Sequence, residues 1–209
     1  MIIIAHRGFW KSKSERNNMV AFERSFTNKI GIETDIRDYK GKLVISHDIP
    51  DEFSMTLDCF FGIYKKYGEG LPLALNIKSD GLYQELGRYI QKYNLENYFV
   101  FDMSIPDTVK YVEHNLKVYT RVSEYEKVPS FYKQSEGVWM DEFYEHWINF
   151  ESISQHVINN KKVCIVSPEL HNRSYKKEWS QYKNIEKKLK TELMICTDFP
   201  LEAQNFFNE

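Results

Sequence analysis

Short apolar runs alternate with longer amphipathic stretches along the whole chain. Eight of these runs have the length and the β-branched or aromatic content of strands. They lie at 2–5, 31–36, 72–77, 98–102, 117–120, 136–140, 162–166 and 193–196. A ninth run, 43–46, comes soon after the turn pair Lys40-Gly41, which predicts that it forms a hairpin with the second strand.

Helices are predicted where apolar residues recur three or four positions apart. These segments are 19–28, 57–67, 80–94, 105–115, 150–160 and 200–207. The segments after the fifth and seventh strands show no clear helical period. Repeated alternation of strand and helix predicts an α/β fold of the (β/α)8 TIM-barrel class, small, with one domain over residues 1–209. A doubly wound open sheet is the alternative, and the lack of a glycine-rich phosphate loop after the first strand disfavours it.

Charge and composition narrow the classes of function. The chain of 209 residues carries 28 Lys and Arg against 30 Asp and Glu, a net charge of −2. This balance argues against a nucleic-acid-binding surface, which needs a basic excess. Cys59, Cys164 and Cys196 have no short spacing, so neither a disulfide scaffold nor a zinc finger is expected. No apolar run approaches the roughly 20 residues of a membrane span, and we expect a cytoplasmic protein without stable membrane insertion.

Polar side chains stand at the carboxyl ends of the early strands. With a period of two, Glu33 and Asp35 share one face of the second strand, while Asn76 and Lys78 share one face of the third. His6 ends the first strand on the same face as its alternate aliphatic residues. In a barrel, catalytic residues lie at this end of the strands, so the pattern predicts a site there.

Taken singly, each of these residues also fits a structural role, such as a hydrogen-bonded histidine or a solvated strand edge. Taken together, two histidines, two carboxylates, Arg7 and Lys78 are costly to bury without a function. Carboxylate oxygens can hold Mg²⁺ or Ca²⁺, and the two cationic side chains can bind phosphate oxygens. His6 and His47 can share the roles of general acid and base near neutral pH. The set therefore suits phosphoester chemistry.

The ordered motifs resemble those of the glycerophosphodiester phosphodiesterase family. More loosely, they are similar to the sphingomyelinase D and phosphatidylinositol phospholipase C barrels. The resemblance covers residues 1–48, 72–78 and 193–200. The residues that carry it are His6-Arg7-Gly8, Asn17, Glu33-x-Asp35, His47-Asp48, Asn76-Ile77-Lys78 and Thr197-Asp198-x-Pro200.

The resemblance implies a barrel enzyme that hydrolyses a small phosphodiester with a divalent metal, Mg²⁺ or Ca²⁺. By position, the catalytic histidines of the family fall on His6 and His47, and its phosphate-binding residues on Arg7 and Lys78. Its metal ligands fall on a set of three residues: Glu33, Asp35 and Asn76.

The chain departs from the family pattern at three places. It has Glu15-Arg16-Asn17-Asn18 where the family has Pro-Glu-Asn-Thr, and Asn76 where the family has a glutamate. The segment 167–171 replaces a Trp-Thr pair, and we expect Glu169 and His171 in it to bind the alcohol side of the substrate. A weak or inactive barrel that binds a phosphorylated ligand, and a lyase that forms a cyclic phosphate, are the alternative functions.

Overall fold

The computed structural model describes residues 1–208. The chain forms two compact units, one of residues Ala5–Val118 and one of Met1–Ile4 together with the chain from Tyr119 onward. We call them the N-terminal and the C-terminal unit, and each is described by itself. Strand β1, Ile2–His6, contributes its first residues to the C-terminal unit and its last two to the N-terminal unit.

The N-terminal unit alternates strands and helices, with one hairpin inserted. Its elements are α1 (Met19–Thr27), β2 (Gly31–Tyr39), β3 (Lys42–Ile45), β4 (Met55–Thr56), α2 (Leu57–Ile63), β5 (Leu73–Ile77), α3 (Tyr83–Lys92), β6 (Tyr98–Phe101) and α4 (Ile105–Glu113). Strands β2 and β5 pair in parallel, with Asp35 opposite Asn76, and β6 pairs in parallel with β5. The predicted hairpin is confirmed, because β3 pairs antiparallel with β2.

The core of this unit lies between the strands and the helices. Ile32 and Ile36 of β2 are fully buried in it, together with aromatic side chains of α1 and α2. Phe22 and Phe60 meet edge to face with ring centroids 4.7 Å apart. Burying one such side chain contributes roughly 1.5–3 kcal/mol to folding. This packing leaves the opposite face of β2, with its two carboxylates, for the site.

The C-terminal unit continues the same alternation. Its elements are β7 (Tyr119–Val122), β8 (Gly137–Met140), α5 (Phe150–Ile158), β9 (Lys162–Val166), α6 (Lys176–Leu189), β10 (Met194–Thr197) and α7 (Pro200–Asn208). Strands β7, β8, β9 and β10 pair in parallel in that order. Strand β1 joins the same sheet through Ile2, whose N–H donates to the carbonyl of Leu193 at 2.8 Å.

The elements depart from prediction chiefly in two strands, and the two segments without a clear helical period differ from each other. The fifth strand lies at Tyr119–Val122 instead of 117–120, because residue Val118 makes only an isolated bridge to Val100. The short β4 was not predicted. Helix α6 fills the segment that lacks a clear period, while 123–136 contains no helix among the described residues. The single-domain boundary stays a prediction. No helix within residues 1–208 combines the length and apolarity needed to cross a membrane.

Candidate active site

Arg7 and Gly8 form a tight turn at the end of β1. Both have positive φ angles, 57° and 83°. A Cβ atom at position 8 would lie 2.9 Å from the Cβ of Ala21, so the turn needs glycine for space as well as for conformation. The turn directs the Arg7 N–H to Glu33, where it meets the carbonyl at 2.9 Å and Oε2 at 3.2 Å. The His-Arg-Gly motif is thereby joined to β2.

Asp35 is the centre of a cluster of polar side chains. Its carboxylate is only 1% exposed and forms ion pairs with Arg7 Nε at 3.1 Å and Lys78 Nζ at 3.3 Å. Asn17 Nδ2 donates to the same carboxylate at 2.8 Å, and Asn17 Oδ1 accepts from the hydroxyl of Thr34 at 2.8 Å. Three motifs that are far apart in sequence therefore converge on one buried carboxylate.

Glu33 lies beside this cluster and is almost completely buried, with 2% of its surface exposed. Burial, followed by the negative charge of Asp35, raises the pKa of Glu33 to about 8, although Arg7 and Lys78 act in the opposite direction. The carboxyl group therefore holds its proton at neutral pH in this arrangement. A further positive charge placed against its oxygens would favour the ionised form.

Asn76 completes a set of three oxygen donors. It lies opposite Asp35 in the pairing of β5 with β2, and its Oδ1 is buried without a hydrogen-bond partner. Oδ1 of Asp35 also lacks a hydrogen bond and has only the ion pair with Lys78. Among residues 1–208, no three His, Cys, Asp or Glu side chains form a metal-binding group. Two carboxylates and an unpartnered amide oxygen nevertheless fit a hard divalent cation.

The two histidines have different surroundings. His6 is half-buried at the end of β1, and its carbonyl accepts a hydrogen bond from Trp10 Nε1 at 3.1 Å. His47 lies on the loop after β3 with 42% of its side chain exposed, and its Nδ1 lies 2.9 Å from Oδ1 of Asp48. The hydrogen bond to His47 lowers the pKa of Asp48. An ionised Asp48 holds the His47 ring with Nε2 as the nitrogen available to a ligand.

A cleft of about 720 Å³ brings several of these groups together. Arg7, Asn17, His47 and Asp48 line the cleft. The three buried residues with oxygen ligands, Glu33, Asp35 and Asn76, are not among its lining residues. Arg7 connects the cleft with the buried cluster, because it lines the cleft and also forms an ion pair with Asp35. The cleft thus combines a cationic side chain, held by a buried carboxylate, with an exposed histidine.

Glu169 and His171 lie in the C-terminal unit, on the segment after β9. Both carboxylate oxygens of Glu169 accept hydrogen bonds from the protein. Oε1 accepts from the Asp198 N–H at 3.1 Å and from the hydroxyl of Thr197, and Oε2 accepts from the hydroxyl of Ser167. Burial raises the pKa of Glu169. The late Thr197-Asp198 motif is therefore tied to this carboxylate.

His171 has a different environment. Its Nε2 lies 2.6 Å from Oδ1 of Asp141, and the other carboxylate oxygen of Asp141 forms an ion pair with Arg121. The ring of His171 also packs against Phe143, with the two ring centroids 4.9 Å apart. Asp141 follows β8 directly, which is the signal that could have identified it. Arg121 lies within β7 and is not among the predicted site residues; its role follows from its contact with Asp141 across the paired strands.

The fold is similar to that of solved phosphodiesterase structures. An Oleispira antarctica phosphodiesterase in complex with the product sn-glycerol-3-phosphate matches with a TM-score of 0.71 and 15% identity, over 100% of this chain and 97% of that one. A glycerophosphodiester phosphodiesterase from Agrobacterium tumefaciens str. C58 matches with a TM-score of 0.67 and 11% identity, over 98% and 99%. A Ca²⁺-dependent phosphatidylinositol-specific phospholipase C from Streptomyces antibioticus matches with a TM-score of 0.60 and 8% identity, over 99% and 95%.

No protein-family model matches the chain, and no curated protein gives a significant match. Identities this low show the fold alone. The predicted α/β fold of the (β/α)8-barrel class is confirmed by these structures. An activity has to be argued from the site itself.

Proposed function

We propose that the chain is a phosphoric diester hydrolase that cleaves a glycerophosphodiester, or a related small phosphodiester, into an alcohol and a phosphomonoester. The observation that carries this proposal is the cluster of Arg7 and Lys78 on the buried Asp35, with Arg7 also lining the cleft that contains His47. The Oleispira antarctica structure, which holds a phosphomonoester product, supports the same class of reaction.

Charge balance favours an anionic substrate. Two cations share the one charge of Asp35, and the neighbouring Glu33 is protonated at neutral pH because burial raises its pKa to about 8. Without a bound ion the cluster therefore carries about one net positive charge. A divalent cation that displaces the Glu33 proton would make it more positive, so an anionic substrate is favoured in both states. Arg7 and Lys78 bind phosphate oxygens and stabilise the extra charge that develops on them when water attacks phosphorus.

The histidines supply the proton transfers. Hydrolysis requires a base that takes a proton from the attacking water and an acid that gives a proton to the leaving oxygen of the alcohol. We assign these two roles to His6 and His47. Asp48 orients the ring of His47 through the contact between its Oδ1 and the Nδ1 of His47.

Glu33, Asp35 and Asn76 are the residues that would hold a divalent cation, Mg²⁺ or Ca²⁺. Such an ion supplies Lewis-acid stabilisation of phosphate oxygens when it is bound. Oδ1 of Asn76, which is buried without a hydrogen-bond partner, supports this assignment. The three ligands carry two negative charges when Glu33 ionises, one fewer than a set of three carboxylates, so the attraction for the ion is weaker.

His171 and Glu169 remain our proposal for recognition of the alcohol group. The contacts favour His171 for direct binding, because its ring keeps 24% exposure while Glu169 already bonds three protein donors. In this proposal Glu169 shapes the segment through Ser167, Thr197 and Asp198.

Turnover of glycerophosphocholine and bis(p-nitrophenyl) phosphate tests the function, with metal-stripped protein assayed in excess chelator and after return of Mg²⁺ or Ca²⁺. We expect activity only with metal, and a loss of about 10²–10⁴-fold in kcat for His47→Ala. Phosphorus NMR should show a phosphomonoester as the first product, and a cyclic phosphate would mean a lyase. Binding of a phosphorylated ligand without any turnover would replace the hydrolase with an inactive barrel.

A substitution at Asn76 tests the proposed metal site separately from turnover. Asn76→Asp adds a third carboxylate and should tighten metal binding in calorimetry relative to the wild-type protein. Full activity in excess chelator, with no ion found by elemental analysis, would contradict the metal assignment.

A further inference from the structure

A cavity of about 490 Å³ lies in the C-terminal unit, beside the carboxyl end of β7. Its walls are the start of the connection from β7 to β8, the loop after β8 and one face of α5. This connection, 123–136, contains no helix, so no helix from it fills the space beside α5. The volume is that of a small-molecule site. The cavity shares no lining residue with the cleft of the candidate active site.

Hydrogen bonds hold the walls of the cavity in place. The carboxylate of Glu124 accepts the N–H groups of Phe143 and Tyr144, each at 3.1 Å, and so joins the connection after β7 to the loop after β8. The N–H of Trp147 donates to the carboxylate of Glu142 at 3.0 Å. The cavity is therefore formed in the absence of a ligand, and a ligand can bind without first ordering these loops.

Two ring side chains that line the cavity have polar atoms without a partner. Trp147 Nε1 is buried and makes no hydrogen bond. His156 is 8% exposed, and its Nδ1 lies 2.9 Å from the hydroxyl of Tyr132. Its Nε2 has no hydrogen-bond partner within residues 1–208. Folded proteins leave few buried polar groups unpaired, so these atoms indicate that the cavity takes a polar ligand.

The charges of the lining restrict the class of ligand. Of its four titratable side chains, Glu124 is already bonded to the loop after β8, and burial lowers the pKa of His156, so that its ring is neutral near pH 7. Lys127 and Glu145 remain, both exposed and without an ion pair in the described part of the chain. The cavity thus offers one positive and one negative group. A zwitterion matches both, whereas a simple cation or anion leaves one of them unmatched.

We propose that this cavity binds a small zwitterion, an α-amino acid with an apolar side chain. The carboxylate of the ligand lies at Lys127 and its ammonium group at Glu145. Its side chain packs on the apolar part of the lining, to which Val122 and Trp147 contribute. Since no residue of the cavity is assigned a role in hydrolysis, this inference goes beyond the proposed function and is independent of it.

Three compounds with the same phenylethyl body separate the two charges. L-Phenylalanine carries both charges, phenethylamine only the ammonium group, and 3-phenylpropionate only the carboxylate. We expect calorimetry on the full chain near neutral pH to show the tightest binding for L-phenylalanine. Each of the other two compounds should bind about fivefold more weakly, as for the loss of one ion pair that is exposed to solvent.

Substitutions of the two charged residues should have opposite patterns. Lys127→Gln should weaken binding of L-phenylalanine and 3-phenylpropionate by about fivefold and leave phenethylamine unchanged. Glu145→Gln should weaken L-phenylalanine and phenethylamine by the same factor and leave 3-phenylpropionate unchanged. Lys133→Gln and Glu151→Gln are the matched controls, because both residues are exposed in the same unit and neither lines the cavity. The controls should change none of the three affinities.

Several results would overturn the zwitterion site. These are no binding of L-phenylalanine, equal affinities for the three compounds, or cavity variants that act like their controls. Tighter binding of phenethylamine or 3-phenylpropionate than of L-phenylalanine would also overturn it, and would indicate a site for a single charge. None of these measurements depends on turnover, so the proposed function is tested separately.

Discussion

Glu169 and His171 differ in whether their side-chain atoms remain available to a ligand. The Glu169 carboxylate accepts hydrogen bonds from Ser167, Thr197 and Asp198, so Glu169→Ala leaves three donors without a partner. An unsatisfied buried donor costs about 1–3 kcal/mol. We therefore expect Glu169→Ala to lower the free energy of unfolding by at least that amount, as measured by urea denaturation.

His171→Ala is the matched variant for this prediction. It should change the order in which a panel of phosphodiesters is hydrolysed, with a smaller loss of stability than Glu169→Ala. The assignment fails if Glu169→Ala folds with normal stability and changes the order of substrates while His171→Ala does not.

Other residues show what the sequence alone could reach. The positions of Glu33 and Asp35 on one face of a strand follow from the period of two, and the structure has them buried there. The role of Asn17 could not be foreseen, because its contacts with Asp35 and Thr34 are made across the fold. The unpartnered oxygen of Asn76 is likewise a property of packing, which no spacing along the chain encodes.

Among the elements, the existence of a strand was easier to predict than the residues at which it begins and ends. Runs such as 162–166 are apolar and bounded by polar residues, and β9 has those limits. The fifth strand begins later than predicted because Val118 makes only an isolated bridge to Val100, and pairing with β8 begins at Tyr119. Helix α6 was not predicted because only three of its buried side chains are apolar, Trp179, Tyr182 and Ile185, and they stand among many charged residues.

Close packing between strands gives a prediction at Gly137 in β8. A Cβ atom there would lie 2.5 Å from Cζ of Tyr119 and 2.6 Å from the carbonyl oxygen of Lys162, one on each neighbouring strand. Overpacking of this kind typically costs about 1–3 kcal/mol. Gly137→Ala should lower the free energy of unfolding by that amount in urea denaturation.

Gly87 in α3 is the control for this substitution. No atom lies within 4 Å of its added Cβ, and alanine is favoured over glycine inside a helix by about 0.5–1 kcal/mol. Gly87→Ala should therefore raise stability. Equal effects of the two variants would mean that the contacts across β7, β8 and β9 do not limit the side chain at position 137.

For the whole molecule, the alternation of strands and helices was enough to predict the fold class, because few folds accommodate eight such repeats. The missing helix between β7 and β8 does not alter this class, since the parallel pairing of those strands is kept. Activity does not follow from the class, and the proposed function rests on the groups around Asp35.

Stability of the whole molecule should also depend on pH through His156. Its ring is buried, its Nδ1 lies 2.9 Å from the hydroxyl of Tyr132, and burial lowers its pKa below the ordinary value. Above about pH 6.5, the pKa of an unfolded histidine, both states are neutral and this group contributes no pH dependence. Below it the unfolded chain binds a proton first, so the free energy of unfolding falls as the pH falls towards the folded pKa.

The slope of this fall approaches about 1.4 kcal/mol per pH unit for one proton, and urea denaturation between about pH 6.5 and 5 measures it. His156→Asn keeps a polar atom near the position of Nδ1 and removes the titration, so it should flatten the slope relative to the wild-type protein. Tyr132→Phe removes the hydrogen bond but leaves His156 buried, so the slope should persist because burial is its cause. A slope that His156→Asn leaves unchanged would show that other groups produce the acid sensitivity.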